Sequence, residues 1–465
     1  MMRPPEALPL HLMLLMMQSG ISPTAWASSS APFQPWLPDW MRPKSPLEQS
    51  ADQWASAWQQ LSQNMANAGL QWLSPGGDPQ ALNRNAKPQN NRHPRESEST
   101  AAGTHAWGGI PAFAGMTDFE GVAQFWNQLG DQATTQSKQF FDGLNAYIAS
   151  DYQPAPMDYP VLWKHGNARL LDLAPEAADA VAVLCVPSLI NSARVLDLTP
   201  ERSFVQHLKQ QGLRPLILDW GSPGDVEQGF STADYITFYA LDALQALRDH
   251  HDGPIALAGY CMGGIFATAM AQLAPLFVDA LILLATPWDF SAPDTPRVLL
   301  EPASQLMFRQ WIGSFSPVPP MITQSIFHLI DPWRIQRKYS RFPLLSAQEK
   351  QHFLAVEHWV NDGIPLAQKA AEEVFVDWPQ GNILAEHQWK VGRRWIEPGS
   401  IQCPTLAVIP QNDLIVPTGV ALPLTDAIPR CNVLMPDAGH VSMVCGRRAR
   451  EEMWEPVASW LKKKF

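Results

Sequence analysis

The chain has 465 residues, enough for one large domain or two ordinary ones, and 46 % of them are hydrophobic, which is a globular composition. The formal net charge is −11. A uniformly acidic chain repels nucleic acid, which argues against general DNA or RNA binding but leaves an anionic small substrate open where basic residues cluster. The five cysteines, Cys185, Cys261, Cys403, Cys431 and Cys445, form no C-x-x-C pair. Neither a disulfide framework nor a metal site is expected, and a reducing, cytoplasmic compartment fits. No apolar run reaches the roughly 18 residues that a membrane span needs. The apolar stretch Ala7–Met17 has the outline of a signal peptide, but it contains Pro9 and His11 and only Arg3 precedes it. It reads as an apolar N-terminal helix or contact segment.

Residues 1–73 are expected to form a Pro/Trp-rich and helical segment. Residues 74–117 are rich in turn formers with no sustained period and read as a disordered insertion. Residues 118–169 read as a helical lead-in, with "FEGVAQFWNQL" and "TTQSKQFFDGLNAYIA" apolar at helical spacing. From residue 170 to 290 strands and helices alternate. "AVAVLCVPS" is a buried strand, "SFVQHLKQQG" a helix closed by Gly212, and "RPLILDWGSPG" a second strand and loop. "TADYITFYALDALQALRDHH" is an amphipathic helix with Thr232 as N-cap, ending at the solvated His250 and His251. "PIALAGYC" and "VDALILLATPWDF" are further strands. Such short apolar strands between helices imply a parallel sheet covered on both faces. The alternation lapses over 291–400, which reads as a helical cap, and resumes over 401–465 with "PTLAVIPQND", "CNVLMPDAGH" and a closing helix. A cap inserted late in the sheet would sit over the C-terminal strand edge, where open α/β sheets place their sites.

One stretch carries chemistry. "IALAGYCMGGIF" places Cys261 between a strand and a helix, in the G-x-nucleophile-x-G pattern formed by Gly259 and Gly263. The helix N-terminus favours negative charge on a thiolate or an oxyanion. The backbone N–H of Met262 is the expected oxyanion donor, with a second from the loop "VPSLIN" near Leu189. Asp413 in "LAVIPQNDLIVP" and His440 in "VLMPDAGHVSM" each follow a strand, completing the order nucleophile, acid, histidine of an α/β-hydrolase fold. His440 would take the thiol proton and Asp413 would fix the imidazole. Asp437 is a rival acid, read instead as capping the turn. Asp219, at another strand end, reads as a loop shaper, and the other four cysteines as small hydrophobes.

From about residue 170 onward the chain resembles the polyhydroxyalkanoate synthases. The segments that carry this are "INSARVLDLTPERSFVQHL", "LILDWGSPG", "ADYI", "GYCMGG", "TPWDFSAPD", "FLAVEHWVNDGIP", "NDLIVP" and "GHVSM". "DWG-x-P" and "TP-x-DF" look like the class III, two-subunit type. The resemblance implies an acyltransferase that polymerises 3-hydroxyacyl-CoA through a Cys261-bound acyl group, with Asp413 and His440 as acid and base. It implies no cofactor beyond the CoA thioester substrate, and it implies a polyester chain or granule surface and a partner subunit or homodimer as partners. Such synthases generally have histidine directly after the catalytic aspartate, where this chain has Leu414, and residues 1–150 do not match their N-terminal domain. CoA carries phosphates, for which Arg334, Arg337, Lys338 and Arg341 in "DPWRIQRKYSR" are candidates, with Arg393 and Arg394 as a second pair. A solvated helix face accounts for them as well. A Cys-nucleophile thioesterase or intracellular polyester hydrolase, and an inactive granule-associated protein, stay open beside the synthase. Dienelactone hydrolases share "GYC-x-GG" but lack a long cap.

Overall fold

The computed structural model describes residues 138–332 and 334–465. The segments expected over 1–73 and 74–117, and the first helix of the lead-in, lie outside the described residues. Helix α1 spans residues 138–148. Next comes a hairpin, β1 (Val161–His165) and β2 (Ala168–Asp172), turning at Gly166 with φ +55°. These strands fall partly inside the lead-in read as helical. The two-residue Gly-Asn turn between them was the available signal, because that pair supplies the positive φ that tight hairpins need.

The strands β3 (Ala182–Val186), β4 (Arg214–Asp219), β5 (Ile255–Tyr260), β6 (Ala280–Leu284), β7 (Thr405–Val408) and β8 (Cys431–Leu434) complete an eight-stranded sheet in the order β1-β2-β4-β3-β5-β6-β7-β8. Only the β1–β2 and β2–β4 pairings are antiparallel. All five residues of β3 are buried because both faces are covered. Ala182, Leu184 and Val186 enter one core, with Phe266 and Trp288, while Val183 and Cys185 enter the other, with Phe204 and Trp454.

The covering helices are α2 (Phe204–Gln210), α3 (Leu241–Asp249) and α4 (Met262–Leu273), with later ones described below. Gly212 follows α2 at φ +79°, as a helix stop requires. The segment before α3 opens at Ser231, not Thr232. Ser231 and Asp234 form a reciprocal capping box, and Thr232 instead gives its N–H and hydroxyl to Glu373 of the cap. His251 is buried rather than solvated. It sits beside the guanidinium of Arg214, which is itself held by the buried Asp172. Asp219 pairs with Arg169 and accepts the N–H of Gly221, shaping the loop after β4.

Between β6 and β7, which are neighbours in the sheet, the chain leaves to build the cap. Its main helices are α5 (Pro302–Gly313), α6 (Pro320–Ile330), α7 (Arg334–Arg341) and α8 (Ala347–Asn361). The segment read as helices and loops also contains a small hairpin, Lys390–Val391 against Arg394–Trp395, turning at Gly392. Helices α9 (Thr418–Ala427) and α10 (Glu455–Lys462) close the chain. Among the described residues no helix is long and apolar enough to cross a membrane.

Candidate active site

Cys261 joins β5 to α4 with φ +55° and ψ −124°, a conformation that a non-glycine residue adopts only under constraint. The constraint is visible on both sides. The Cys261 N–H donates to Leu284 O at 2.8 Å, and its own carbonyl accepts the Gly264 N–H. A Cβ on Gly259 would stand 2.5 Å from Gly263 O, and one on Gly263 would stand 2.0 Å from Val186 O. The glycines are therefore required by backbone contact between β5, α4 and the end of β3.

Past the end of β7 stands the carboxylate expected as the acid. Asp413 is buried; its Oδ1 accepts the N–H groups of Ile415 and Val416 at 2.8 and 2.9 Å. Its Oδ2 lies 2.6 Å from Nδ1 of His440, which follows β8. Both carboxylate oxygens are thus committed, which fixes the imidazole plane. With Nδ1 held by Asp413, Nε2 is left for the Cys261 side, and both Cys261 and His440 line the same cavity. Burial opposes a charged imidazole here, but the Asp413 carboxylate and then Cys261 outweigh it and push the His440 pKa up to about 10. The Tyr260 ring packs 5.2 Å from the imidazole, and its hydroxyl donates to the His440 carbonyl. Asp437 is not part of this arrangement. It is exposed and bonded to Asn412 and Arg448.

The remaining cysteines differ in surroundings. Burial pushes the thiols of Cys185 and Cys445 up to about 12 and those of Cys403 and Cys431 to about 11. None of the four stands beside an imidazole of this kind.

Cys261 and His440 open into a cavity roofed by the cap. Ile190, Val195, Phe327, Ile335 and Trp359 are among its apolar walls, and Leu414 lies at its edge, 61 % exposed. The roof is attached where α8 ends. Asn191 gives its amide to the carbonyls of Trp359 and Val360, the Trp359 indole donates to Ser192 O, and Ile364 N–H donates to Ile190 O. The loop after β3 therefore holds the cap against the site. Pro187, Ser188 and Ile190 of that loop line the cavity; Leu189 is turned into the core. Met262 is buried at the first position of α4, where its N–H is one of the donors a helix leaves unsatisfied.

The four basic residues of α7 separate. Arg334 and Lys338 line the cavity, whereas Arg337 is exposed and paired with Asp331, and Arg341 is exposed and outside it. Arg393 and Arg394 are exposed on the cap hairpin, also outside. Sequence reasoning missed Glu357, which is buried in the cavity wall and paired with Lys338. The signal was its place on α8 three residues after the buried Leu354, on a core-facing stripe.

A family profile described as the alpha/beta hydrolase fold matches residues 181–444, more than half of the chain. The chain belongs to the α/β-hydrolase family. Within it, the chain is a relative of the polyhydroxyalkanoate synthases. It is 29 % identical over 310 residues to the poly(3-hydroxyalkanoate) polymerase subunit PhaC of Haloferax mediterranei, covering 64 % of this chain and 63 % of that one. It is 27 % identical over 298 residues to PhaC of Haloarcula marismortui, covering 62 % of each. With PhaC of Allochromatium vinosum it shares 26 % over 294 residues, 62 % of this chain and 82 % of that subunit. For the two Haloferax and Haloarcula relatives, the match spans less than two thirds of their length. On this hydrolase frame the residue at the turn from β5 to α4 is Cys261.

Proposed function

We propose that the protein is an acyltransferase that polymerises 3-hydroxyacyl-CoA into polyester. Cys261 acts as nucleophile, His440 as base and acid, and Asp413 as orienting carboxylate. The observation that carries this reading is the cysteine on the elbow turn sharing a cavity with a histidine whose Nδ1 is held 2.6 Å from a buried carboxylate.

Cys261 sulfur attacks the thioester carbonyl, and the oxyanion forms beside the Met262 N–H at the positive end of α4. The carbon–sulfur bond to CoA breaks, and the proton held by His440 passes to the departing CoA thiolate. The acyl group is now a thioester on Cys261. A hydroxyl of a second monomer or of the chain end then gives its proton to His440 and attacks this carbonyl. An ester forms and the sulfur is released. The first transfer exchanges one thioester for another and is nearly balanced, which suits sulfur better than oxygen. The cap excludes water, which would otherwise hydrolyse the acyl-enzyme. Partners follow from the same reading: the CoA thioester, the growing polyester or its granule surface, and a second subunit or second copy.

The test is incubation with 3-hydroxybutyryl-CoA, following CoA release and separating polymer from free acid. Polymer is expected. Monomeric acid alone would replace the synthase reading with a thioesterase or polyester hydrolase. CoA release unaffected by Cys261→Ala would remove the mechanism altogether, and no release at all would leave an inactive granule-associated protein.

A further inference from the structure

The cavity above Cys261 is mostly apolar, yet one part of its wall is a buried ion pair. Lys338 Nζ of α7 lies 2.6 Å from Glu357 Oε2 of α8, and the Tyr339 hydroxyl donates to the same oxygen at 2.9 Å. The Glu357 and Lys338 side chains are 5 % and 21 % exposed, and both residues line the cavity that contains Cys261 and His440. The pair is costly to hold in such surroundings, because two charges must leave water. Its valences are also incompletely used. Both bonds to Glu357 end on Oε2, so Oε1 keeps its acceptor capacity. That oxygen is not among the fully buried, unpartnered atoms of the described residues. The ammonium spends one of its three donors on Glu357. A cation placed to capture CoA phosphates would stand exposed and unpaired, and Lys338 is neither.

We propose that the Lys338–Glu357 pair reads the 3-hydroxyl of the acyl group. A hydroxyl is at once donor and acceptor. It accepts from Lys338 Nζ, which uses a second donor of the ammonium, and donates to Glu357 Oε1, which gives that oxygen a partner. An acyl chain without this oxygen leaves the two charges facing hydrocarbon. A site built to pair a hydroxyl discriminates strongly against the analogue that lacks it, because the protein's own polar groups are then unmatched. Tyr339, and the helices α7 and α8 behind it, hold the pair in place. The inference rests on the thioester reading above and adds to it a choice of substrate.

The experiment is single-turnover loading of Cys261, read as the burst of CoA release, with 3-hydroxybutyryl-CoA and butyryl-CoA compared. Wild-type protein is expected to load the hydroxylated substrate at least about tenfold faster. The double variant Lys338→Met/Glu357→Leu, which replaces the pair by apolar groups, is expected to lose most of that ratio. Lys338→Arg, which keeps charge and donors, is expected to retain part of it. Equal loading of both substrates by wild type, or an unchanged ratio in the double variant, overturns the proposal. Where circular dichroism shows the double variant unfolded, Glu357→Gln is read by the same criterion, since it keeps volume and the contact to Tyr339 while removing the charge. Failure of wild type to load either substrate marks instead the failure of the thioester reading.

Discussion

His440 Nδ1 and Asp413 Oδ2 lie 2.6 Å apart in a setting where both side chains are almost wholly buried. They are 27 residues apart in the chain and come from the ends of adjacent strands β7 and β8, so the sheet itself sets their spacing. Asp437 is only three residues from His440 and still does not reach it. Its carboxylate turns outward to Asn412 and Arg448.

The two aspartates should therefore separate in activity. Asp413→Asn is expected to reduce CoA release from 3-hydroxybutyryl-CoA by a factor on the order of 10³–10⁴, because the imidazole loses both its tautomer control and its counter-charge. Asp437→Asn is expected to stay within about twofold of wild type. Steady-state kcat/KM for the two variants checks this. Comparable losses would place the acid wrongly.

The same pair makes stability depend on pH in a definite direction. The folded pKa of His440, about 10, lies above the ordinary histidine value near 6.5. The charged imidazole thus contributes stability that is full below about pH 6.5 and is lost as pH rises through about 10. Urea midpoints from pH 6 to 11 should show the gap between wild type and His440→Gln closing with rising pH. A gap that is constant or widens would contradict the charged state.

How much of this was legible in the sequence depends on how local each signal is. The elbow at Cys261, the strand ends carrying Asp413 and His440, and the late cap all come from short contiguous patterns: buried strands, turn glycines and a break in alternation. The separation of the α7 basic residues was not legible. Arg334, Arg337, Lys338 and Arg341 form one charged run. Only the packing of α7 on α8 turns Lys338 inward to Glu357 and leaves Arg337 outside with Asp331. Likewise His250 and His251 are neighbours with equal polarity. The second is buried because the Arg214–Asp172 pair, brought from β4 and β2, lies next to it.

Gly263 is the most exacting position of the elbow. An added Cβ would lie 2.0 Å from Val186 O and 2.7 Å from Pro187 O, both backbone atoms of the strand end that faces the site. No side chain can rotate to relieve this, so β3 or α4 must move. Gly263→Ala is expected to destabilise the fold by several kcal/mol, on the order of the largest single-residue effects, and to lower soluble yield sharply. Gly229→Ala, at a glycine whose Cβ would meet nothing within 4 Å, serves as control and should express normally. Thermal denaturation of whatever soluble protein remains gives the measure, and a Gly263→Ala protein as stable as the control would show that the elbow is looser than the contact implies.

Far from the site, His207 makes the opposite use of burial. It lies in the core beside Trp454, ring centres 5.8 Å apart, and neither ring nitrogen has a hydrogen-bond partner among the described residues. Burial lowers its pKa first of all. Arg450 lowers it further, Glu455 pulls the other way, and Lys462 adds a smaller lowering. The folded state therefore resists a proton that the unfolded chain accepts below about pH 6.5, so stability falls as pH drops through that value. Replacing the ring by an apolar side chain removes both the unsatisfied nitrogens and the titration. His207→Leu is expected to unfold at higher urea than wild type at pH 7, by about 1 kcal/mol, with the difference growing towards pH 5. Parallel urea titrations at pH 7.5, 6.5 and 5.5 read this directly. A wild-type protein that loses no more stability on acidification than His207→Leu would mean that the imidazole finds a partner in solution.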